Sequence, residues 1–367
     1  MPQAFYRAPP LPGNVGDKKL VDMADGAGGE AMQQLITKSI LENLPFSRSA
    51  GEVPLESLDD AAVIGDVVIS TDMHTVKPIF FPGGDIGVLS VAGTVNDVSS
   101  LGAKPLALAI AYVVEEGFPL EDLVRLTASA DATAREAGVP IVTGDTKVVE
   151  RGAAEGIFVC TTGIGLQHHT LQHNNREVEA LCGKTQNWLL DSQVIPGATI
   201  ILSGHVGDHG LAVLAQREGY GFDTEVVSDV GPINHLVEAA MNVGGVLAAK
   251  DPTRGGIANA INEWADKSGV GIILREDDIP LRPGVLHGCE LLGIDPYEIG
   301  NEGKILLAVV PERAEAVVEA LRGLPRGGDA AIIGHATEDI EGVVLETSVG
   351  GRRVLEPPVS DPVPRIC

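Results

Sequence analysis

Aspartates recur along this sequence where a predicted strand or helix ends, each beside or near glycine, threonine or asparagine. The first half contributes Asp59, Asp60, Asp72, Asp97 and Asp145. Each one alone could cap a helix or lie in a solvated turn. Together they favour a magnesium–phosphate site, because Mg²⁺ takes hard oxygen ligands and usually binds through a few carboxylates plus substrate phosphates.

Two glycine-rich turns that precede predicted helices could add backbone N–H groups to such a site. The segment 251–256 (DPTRGG) combines an acid, a threonine and two glycines at a helix entry. The other turn contains Gly28 and Gly29 and lacks the Gly-Lys-Ser/Thr of a Walker loop, so a plain helix-entry turn fits it as well. Lys147, which follows Asp145 and Thr146, could neutralise phosphate charge.

The sequence ends in a proline-rich segment and a cysteine, Cys367, with four prolines between residues 357 and 364. Proline favours an extended path of about 3.1 Å per residue, so the ten steps from Pro357 could span roughly 30 Å. A thiol on such an arm could enter a pocket, leave it and be offered to another protein. The alternative is an ordinary ragged chain end.

Length, charge and cysteine content limit the classes of function. A chain of 367 residues with 44% hydrophobic and 21% charged residues predicts two globular domains. The net charge of −25 argues against nucleic acid or an anionic membrane as the main partner, but not against a nucleotide. We find no membrane-spanning run and no signal peptide. The four cysteines form no CxxC pair, which favours a reducing cytosol.

The hydrophobic pattern predicts alternating helices and strands, and hence an α/β fold. We expect a hairpin from residues 61–64 and 67–71, a helix over 85–102 and a strand over 140–143 that ends in the turn 144–147. A further helix is expected over 233–247. The predicted divisions are an N-terminal extension (1–20), an N-terminal domain (21–165), a linker insertion (166–193), a C-terminal domain (194–348) and a mobile tail (349–367).

The linker insertion contains His168, His169, His173 and Cys182 among polar residues. A nickel or zinc site is one hypothesis. A polar loop between the domains is the interpretation we favour, because no second ligand pair lies at the required spacing.

These motifs, taken together, resemble the HypE family of hydrogenase maturation proteins, within the aminoimidazole-ribonucleotide-synthetase-like superfamily. The residues that carry the resemblance cover roughly 21–367 and are DDAA (59–62), NDVS (96–99), GAKP (102–105), GDTKVV (144–149), SG (203–204), GDHG (207–210), DPTRGG (251–256), NEGK (301–304) and PRIC (364–367). Several motifs are shared across the superfamily, whereas the final PRIC is specific to HypE. The resemblance implies two α/β domains and a homodimer whose joint face shapes an ATP site.

The resemblance also implies a reaction. In the family, the terminal cysteine receives a carbamoyl group from the partner HypF, and ATP drives dehydration of this thiocarboxamide to a thiocyanate. The cyanide then passes to iron on the HypC–HypD complex. Cys367 would be the carrier, Glu302 the base for the amide protons, and Lys147 the group that orients or stabilises the acyl phosphate.

The remaining roles follow from matching positions. Asp60, Asp72, Asp97 and Asp251 would bind Mg²⁺, with Asp59 and Asp145 as further candidates. The nucleotide phosphates would contact Gly28, Gly29, Asp145, Thr146, Thr253, Gly255 and Gly256. The sequence departs from the family at Asp25, where relatives often have His-Gly, and in the length of segment 166–193.

Two other functions stay open. A different enzyme of the superfamily, such as a selenophosphate synthetase or a thiamine-phosphate kinase, would need no terminal cysteine. A non-catalytic carrier could present Cys367 to partners without using the acidic clusters.

Overall fold

The computed structural model describes residues 20–26, 29–220, 226–359 and 362–367. The helices are α1 (Gly29–Leu35), α2 (Ile86–Ser100), α3 (Leu120–Ala137), α4 (His169–Cys182), α5 (Asp208–Glu218), α6 (Asn234–Val243), α7 (Gly256–Ser268), α8 (Pro283–Leu292) and α9 (Pro311–Arg322). The strands are β1 (Ala62–Ile64), β2 (Val67–His74), β3 (Phe80–Phe81), β4 (Gly84–Asp85), β5 (Ala103–Glu115), β6 (Ile141–Val149), β7 (Ile157–Gln167), β8 (Thr199–Leu202), β9 (Val246–Lys250), β10 (Gly271–Arg275), β11 (Leu306–Val309), β12 (Ala331–Thr337), β13 (Val343–Glu346) and β14 (Arg352–Val354). Both halves of the chain alternate helices with strands, as expected.

The N-terminal half forms a five-stranded sheet in the order β1-β2-β7-β5-β6. Neighbouring strands are antiparallel except β5 and β6, which are parallel. Helix α2 packs on one face against β2, β5 and β7. It begins at Asp85, whose carboxylate accepts hydrogen bonds from the backbone N–H groups of Gly87 and Val88. Almost every residue of α2 is buried, since a second layer covers its other side.

The C-terminal half forms a seven-stranded sheet in the order β14-β13-β10-β12-β8-β11-β9. Alternate residues of β8 point to opposite faces: Ile200 and Leu202 pack with α7, and Ile201 packs with α6 and α9. The second of these cores also contains Val63 and Val98 from the N-terminal half. Residues of both halves therefore share this second core. In the described part of the chain, no helix has the length and apolar character needed to span a membrane.

The structure confirms the hairpin, as β1 and β2, and the helix over 85–102, as α2. The interpretation of 166–193 as a polar loop is wrong, because α4 forms within it. Leu171, Asn174 and Val178 lie at helical spacing and are buried. The Asn174 side chain donates to the carbonyl oxygen of Val246 and accepts from its N–H group. This polar side chain is therefore buried with its hydrogen bonds made.

Two element boundaries were also predicted incorrectly. The helix expected over 233–247 ends at Val243, because Gly244 and Gly245 have positive φ, and a strand, β9, follows it. The turn expected at 144–147 is instead the middle of β6, which pairs with β5 from Ile141 to Val149. Asp145 and Lys147 thus lie inside an edge strand. Hydrogen bonds between β6 and β5 extend the strand through the residues where a turn was predicted.

Candidate active site

A cavity of about 650 Å³ opens between the two halves of the chain. Most of the acidic residues singled out in the sequence line it, together with the last residue. They are Asp59, Asp60, Asp72, Asp97, Asp251, Glu302 and Cys367. Strand β2 carries Asp72, helix α2 carries Asp97, and Asp251 directly follows β9. Strand β2, helix α2 and the end of β9 therefore each contribute an acid to a single cavity.

The carboxylates of this cavity repel one another in a medium that solvates charge poorly. Burial, followed by the charges of neighbouring aspartates, raises the pKa of Asp97 and of Asp251 well above the ordinary value. Ser70 Oγ donates to Asp97 Oδ2 at 2.7 Å. Oδ2 of Asp251 is buried and has no hydrogen-bond partner in the described structure. Such an orphaned acid oxygen suits a cation, which would relieve the repulsion.

Glu302 lies in the same cavity and has the same character. Burial is the main cause that raises its pKa well above the ordinary value, with Asp251 as the next cause. Its Oε1 atom is buried and has no partner among the described residues. The turn that carries it is fixed by Asp229, whose carboxylate accepts from the N–H groups of Glu302 and Gly303 at 3.3 and 3.1 Å. Lys304 Nζ neutralises Asp229 at 3.1 Å.

A buried ion-pair network forms the far wall of the cavity. Lys250 Nζ lies 2.7 Å from Asp60 and 3.1 Å from both Asp191 and Glu263. Although burial opposes its charge, Asp191 and Asp60 together raise the pKa of Lys250 well above the ordinary value. Burial raises the pKa of Asp60 to about 6 despite this contact. One predicted metal ligand is thus held by a lysine.

Asp191 is the hub of this network. Its carboxylate accepts from Trp264 Nε1 at 2.8 Å and from Lys267 Nζ at 2.7 Å, besides Lys250. Its backbone N–H donates to Asp59 Oδ1 at 3.1 Å. Burial disfavours its charge, but the two lysines outweigh burial and lower its pKa. The segment predicted to be a linker therefore supplies a buried charge next to the site.

The tail inserts Cys367 into the opening of this cavity. Nη1 of Arg254 donates to Cys367 Sγ at 3.2 Å, and the N–H of Thr75 donates to the Cys367 carbonyl oxygen at 3.0 Å. Removal from water raises the pKa of the Cys367 thiol to about 12, even though Arg254 acts in the opposite direction. The docked thiol is therefore protonated and unreactive at neutral pH.

Further contacts also hold the tail. His209 Nε2 lies 2.7 Å from the Ile366 carbonyl oxygen. The Ile366 side chain is buried beside Gly300, where a Cβ atom would meet it at 2.5 Å. Arg217 donates to the carbonyl oxygens of Lys77, Pro364 and Arg365 at 2.8, 2.7 and 2.9 Å. Both hydrogen bonds to the tail backbone and burial of the Ile366 side chain therefore hold the tail in the docked position. The expected mobility of the tail stays a prediction.

Replacing Arg217 with alanine is expected to release the tail. Hydrogen bonds from a charged donor contribute about 1.5–3 kcal/mol, so the undocked fraction should rise at least about tenfold. Alkylation of Cys367 by a maleimide, measured on the C-terminal peptide by mass spectrometry, should accelerate accordingly. Exposed Cys182 serves as the internal standard. Arg352→Ala, which removes a surface arginine paired with Glu346, is the control. An unchanged ratio of Cys367 to Cys182 labelling would contradict this role.

The remaining predicted residues are divided between the cavity and other parts of the chain. Asp145, Thr146 and Lys147 are exposed on the edge strand β6, where Lys147 Nζ pairs with Asp145 at 2.8 Å. Gly28 lies outside the described residues, and Gly29 begins α1. Thr253 lines the cavity. Gly255 precedes α7 and Gly256 begins it, both with positive φ, and the N–H of Gly256 donates to the Thr253 carbonyl oxygen.

Within the described residues, no group of three or more His, Cys, Asp or Glu side chains has the arrangement of a metal site. A cation at the acids of the cavity would therefore need oxygen ligands from another molecule, as Mg²⁺ commonly takes from phosphates. The histidines of α4 are among the side chains that form no such group in the described structure. His168 and His169, at the start of α4, have ring centroids 4.1 Å apart and ring planes tilted by 46°.

The sequence reasoning did not single out several residues of the site: Asp191, Lys250, Arg254, Lys267 and Asp229. A lysine at the end of an apolar strand, as in VLAAK, was the available signal for Lys250. Arg254 was inside a recognised motif but had no assigned role. Nothing in the local sequence distinguishes Asp191 from a surface aspartate.

Comparison with known families now identifies the chain. The pattern described as "AIR synthase related protein, N-terminal domain" matches residues 58–167, and its C-terminal counterpart matches residues 196–346. A putative hydrogenase expression/formation protein of Methanocaldococcus jannaschii is 48% identical over 347 residues, which are 93% of this chain and 98% of that protein. The carbamoyl dehydratase HypE of Azotobacter vinelandii is 45% identical, over 95% of this chain and 97% of its own. The chain belongs to the HypE family of carbamoyl dehydratases.

Solved HypE structures agree with the fold. HypE from a HypE–HypF complex superposes with a TM-score of 0.79 at 40% identity, covering 88% of this chain and 99% of that one. HypE in complex with ATP gives a TM-score of 0.75 at 41% identity, covering 94% and 99%. The expected two-domain α/β fold and the resemblance to HypE are thereby confirmed.

Proposed function

We propose that this chain uses ATP to dehydrate a carbamoyl group on Cys367, which converts the thiocarboxamide to a thiocyanate and supplies cyanide for the iron of a [NiFe]-hydrogenase. The observation that carries the proposal is the docked tail, which holds the Cys367 sulfur at the opening of an acidic cavity beside Arg254 and Glu302. The relatives named carbamoyl dehydratase and the solved complex of HypE with ATP support it.

The chemistry follows from a poor leaving group. The carbamoyl oxygen cannot leave as oxide or hydroxide, so it is first phosphorylated by the γ-phosphate of ATP. Glu302 takes one N–H proton as the C=N bond forms. The C–O bond then breaks, the second N–H proton passes to the departing phosphate, and the nitrile remains on sulfur. A carboxyl whose pKa is raised by burial is suited to this proton transfer.

Asp60, Asp72, Asp97 and Asp251 are the residues we propose for Mg²⁺, with Asp59 beside them. The orphaned oxygen of Asp251 and the mutual repulsion of these acids fit a hard cation. When bound, Mg²⁺ would neutralise phosphate charge. Asp59 accepts from the backbone of Asp191 and faces Lys267, so it is the weakest candidate. Thr253 and the turn at Gly255 would contact the phosphates.

A homodimer would complete the nucleotide site. One face of the five-stranded sheet exposes apolar side chains, namely Ile64, Val67, Ile69, Met73, Ile164 and Leu166. Strand register places Asp145 and Lys147 on this same face, because they align with Ala111 and Val113, whose partners on β7 are Cys160 and Phe158. A second copy that covers the face would bring Lys147 and Asp145 to the joint surface, whereas Thr146, between them on β6, points to the opposite face of the sheet. Sedimentation of the purified chain as a monomer would contradict this arrangement.

Two partners follow from the reaction. HypF would donate the carbamoyl group, and a solved complex pairs a related HypE with HypF. The HypC–HypD complex would accept the cyanide. Both exchanges need Cys367 outside the cavity, since its docked sulfur contacts Arg254. We place the reaction in the cytoplasm, where the four free cysteines are stable as thiols.

Intact-mass spectrometry tests the proposal. Cys367 is carbamoylated by HypF or by cyanate, MgATP is added, and the C-terminal peptide is weighed. We expect a loss of one water, about 18 Da, with none in Cys367→Ala. ATP hydrolysis without this loss would instead favour another kinase or synthetase of the superfamily. Absence of any ATP turnover would favour the non-catalytic carrier.

A further inference from the structure

Arg254 is a cation of the cavity to which neither the sequence analysis nor the proposed reaction assigns a role. It precedes the glycine turn that opens α7 and lines both the acidic cavity and a neighbouring one of about 350 Å³, which meet at Cys367. One of its five N–H donors contacts Cys367 Sγ at 3.2 Å. No other hydrogen bond from this guanidinium reaches a described residue. Four donors are therefore available to a ligand.

The charge of Arg254 also lacks a close partner. Lys250 and Lys267, which line the same cavity, each lie within 3.1 Å of a carboxylate. Within the described part of the chain, no carboxylate lies within 4.0 Å of the Arg254 guanidinium. Holding a cation away from bulk water without an ion pair is unfavourable. A guanidinium kept in this state beside a sulfur atom is prepared for an anion that arrives later.

We propose that Arg254 is a catalytic residue, which holds the carbamoyl oxygen on Cys367 and then the phosphoryl group transferred to that oxygen. This inference rests on the proposed function. The carbamoyl carbon is bonded to Sγ, so its oxygen falls within reach of the guanidinium that already contacts Sγ. An arginine fork fits two oxygens of a phosphoryl group, and the Arg254 guanidinium is already held beside the reacting sulfur by its contact with Cys367 Sγ.

The balance of the step assigns each participant one task. The oxygen electron pair forms the new O–P bond while the bond from phosphorus to ADP breaks. The displaced proton goes from nitrogen to Glu302, and Arg254 exchanges no proton because its guanidinium stays charged throughout. Negative charge accumulates on the phosphoryl oxygens during transfer, so Arg254 stabilises the transition state more than the bound substrate.

Two variants of the full-length chain test this role after carbamoylation of Cys367. Arg254→Ala should slow water loss by about 10²–10³-fold, as removal of one oxyanion donor does. Guanidinium ion at tens of millimolar should raise the rate of water loss in Arg254→Ala by at least about tenfold. The same addition should not change the rate in the unaltered chain. Arg254→Lys keeps the charge but not the fork, and should be slowed by about tenfold or more.

Nucleotide binding supplies a readout that is independent of turnover. In calorimetric titrations with Mg²⁺, Arg254→Ala should bind ADP as the unaltered chain does but lose about tenfold of the preference for ATP over ADP. A purely structural role would weaken both nucleotides alike. If Arg254→Ala does not fold, the affinities of Arg254→Lys for ATP and ADP provide the same test.

Failure of the proposed dehydration and failure of the role of Arg254 give different results. If the unaltered carbamoylated chain loses no water, the proposed function fails and the role of Arg254 fails with it. If the unaltered chain turns over and both variants match its rate, only the role of Arg254 is overturned. Slow variants that guanidinium does not rescue, with equal losses of ATP and ADP affinity, also overturn it.

Discussion

Replacing Glu302 with glutamine is expected to slow water loss from carbamoylated Cys367 by about 10²–10⁴-fold, the usual contribution of a positioned general base. Glutamine keeps the size and hydrogen-bonding shape of glutamate but cannot take an amide proton. The side chain is buried in the cavity with one oxygen that has no partner among the described residues. Single-turnover mass spectrometry of the C-terminal peptide measures the rate directly.

The pH dependence gives a second signature of the same residue. Burial is the main cause that raises the Glu302 pKa, so the deprotonated form that accepts protons becomes more abundant as the pH rises. The rate for the unaltered chain should therefore increase as the pH rises, and it should increase more steeply than the Glu302→Gln rate, in which the cavity aspartates of raised pKa still titrate. Glu298→Gln is the matched control, because Glu298 lies outside the lining of the cavity. Equal rates in Glu302→Gln and the control would exclude Glu302 as the base.

Replacing Asp191 with alanine is expected to lower the free energy of unfolding by about 3–5 kcal/mol, since removal of one partner leaves buried charges uncompensated. Lys250, Lys267 and Trp264 would each lose a hydrogen-bond acceptor. The midpoint of urea denaturation should fall while the slope stays the same.

Asp131→Ala provides the comparison for this loss. Asp131 pairs with Arg135 at 3.1 Å on the exposed face of α3, where such a pair contributes about 0.3–0.5 kcal/mol. If the two variants differ by less than about 1 kcal/mol, the network around Asp191 is not a stabilising element.

The convergence of the acidic residues could be predicted from sequence because each one lies at the end of an element or in a short motif. Asp72, Asp97, Asp251 and Glu302 all line the one cavity with Cys367. Lys147 shows the limit of this reasoning. Its motif predicts a role at the phosphates, but in this chain Lys147 is exposed on the edge strand β6, outside the lining of the cavity. The proposed homodimer would be needed to bring it to a nucleotide.

The missed elements share a physical cause. Helix α4 contains several histidine, asparagine and glutamate residues, so its low overall hydropathy suggested a polar loop, although Leu171, Asn174 and Val178 are buried at helical spacing. Strand β9 was merged with α6 because alanine, leucine and valine suit both, and only the paired glycines at 244 and 245 mark the break. Asp191 acquires its role from lysines 59 and 76 residues away, which no local pattern encodes.

The tail that places Cys367 in the cavity makes the reacting group a part of the catalyst. If the proposed reaction is correct, an attached substrate meets its site at an effective concentration set by the arm rather than by the solution. Kinetics would then show saturation with ATP but none with the thiocarboxamide, and doubling the protein would double catalyst and reactant together. Each chain would complete one dehydration per visit from its partners, so the supply of carbamoyl groups and the removal of cyanide would set the steady flux.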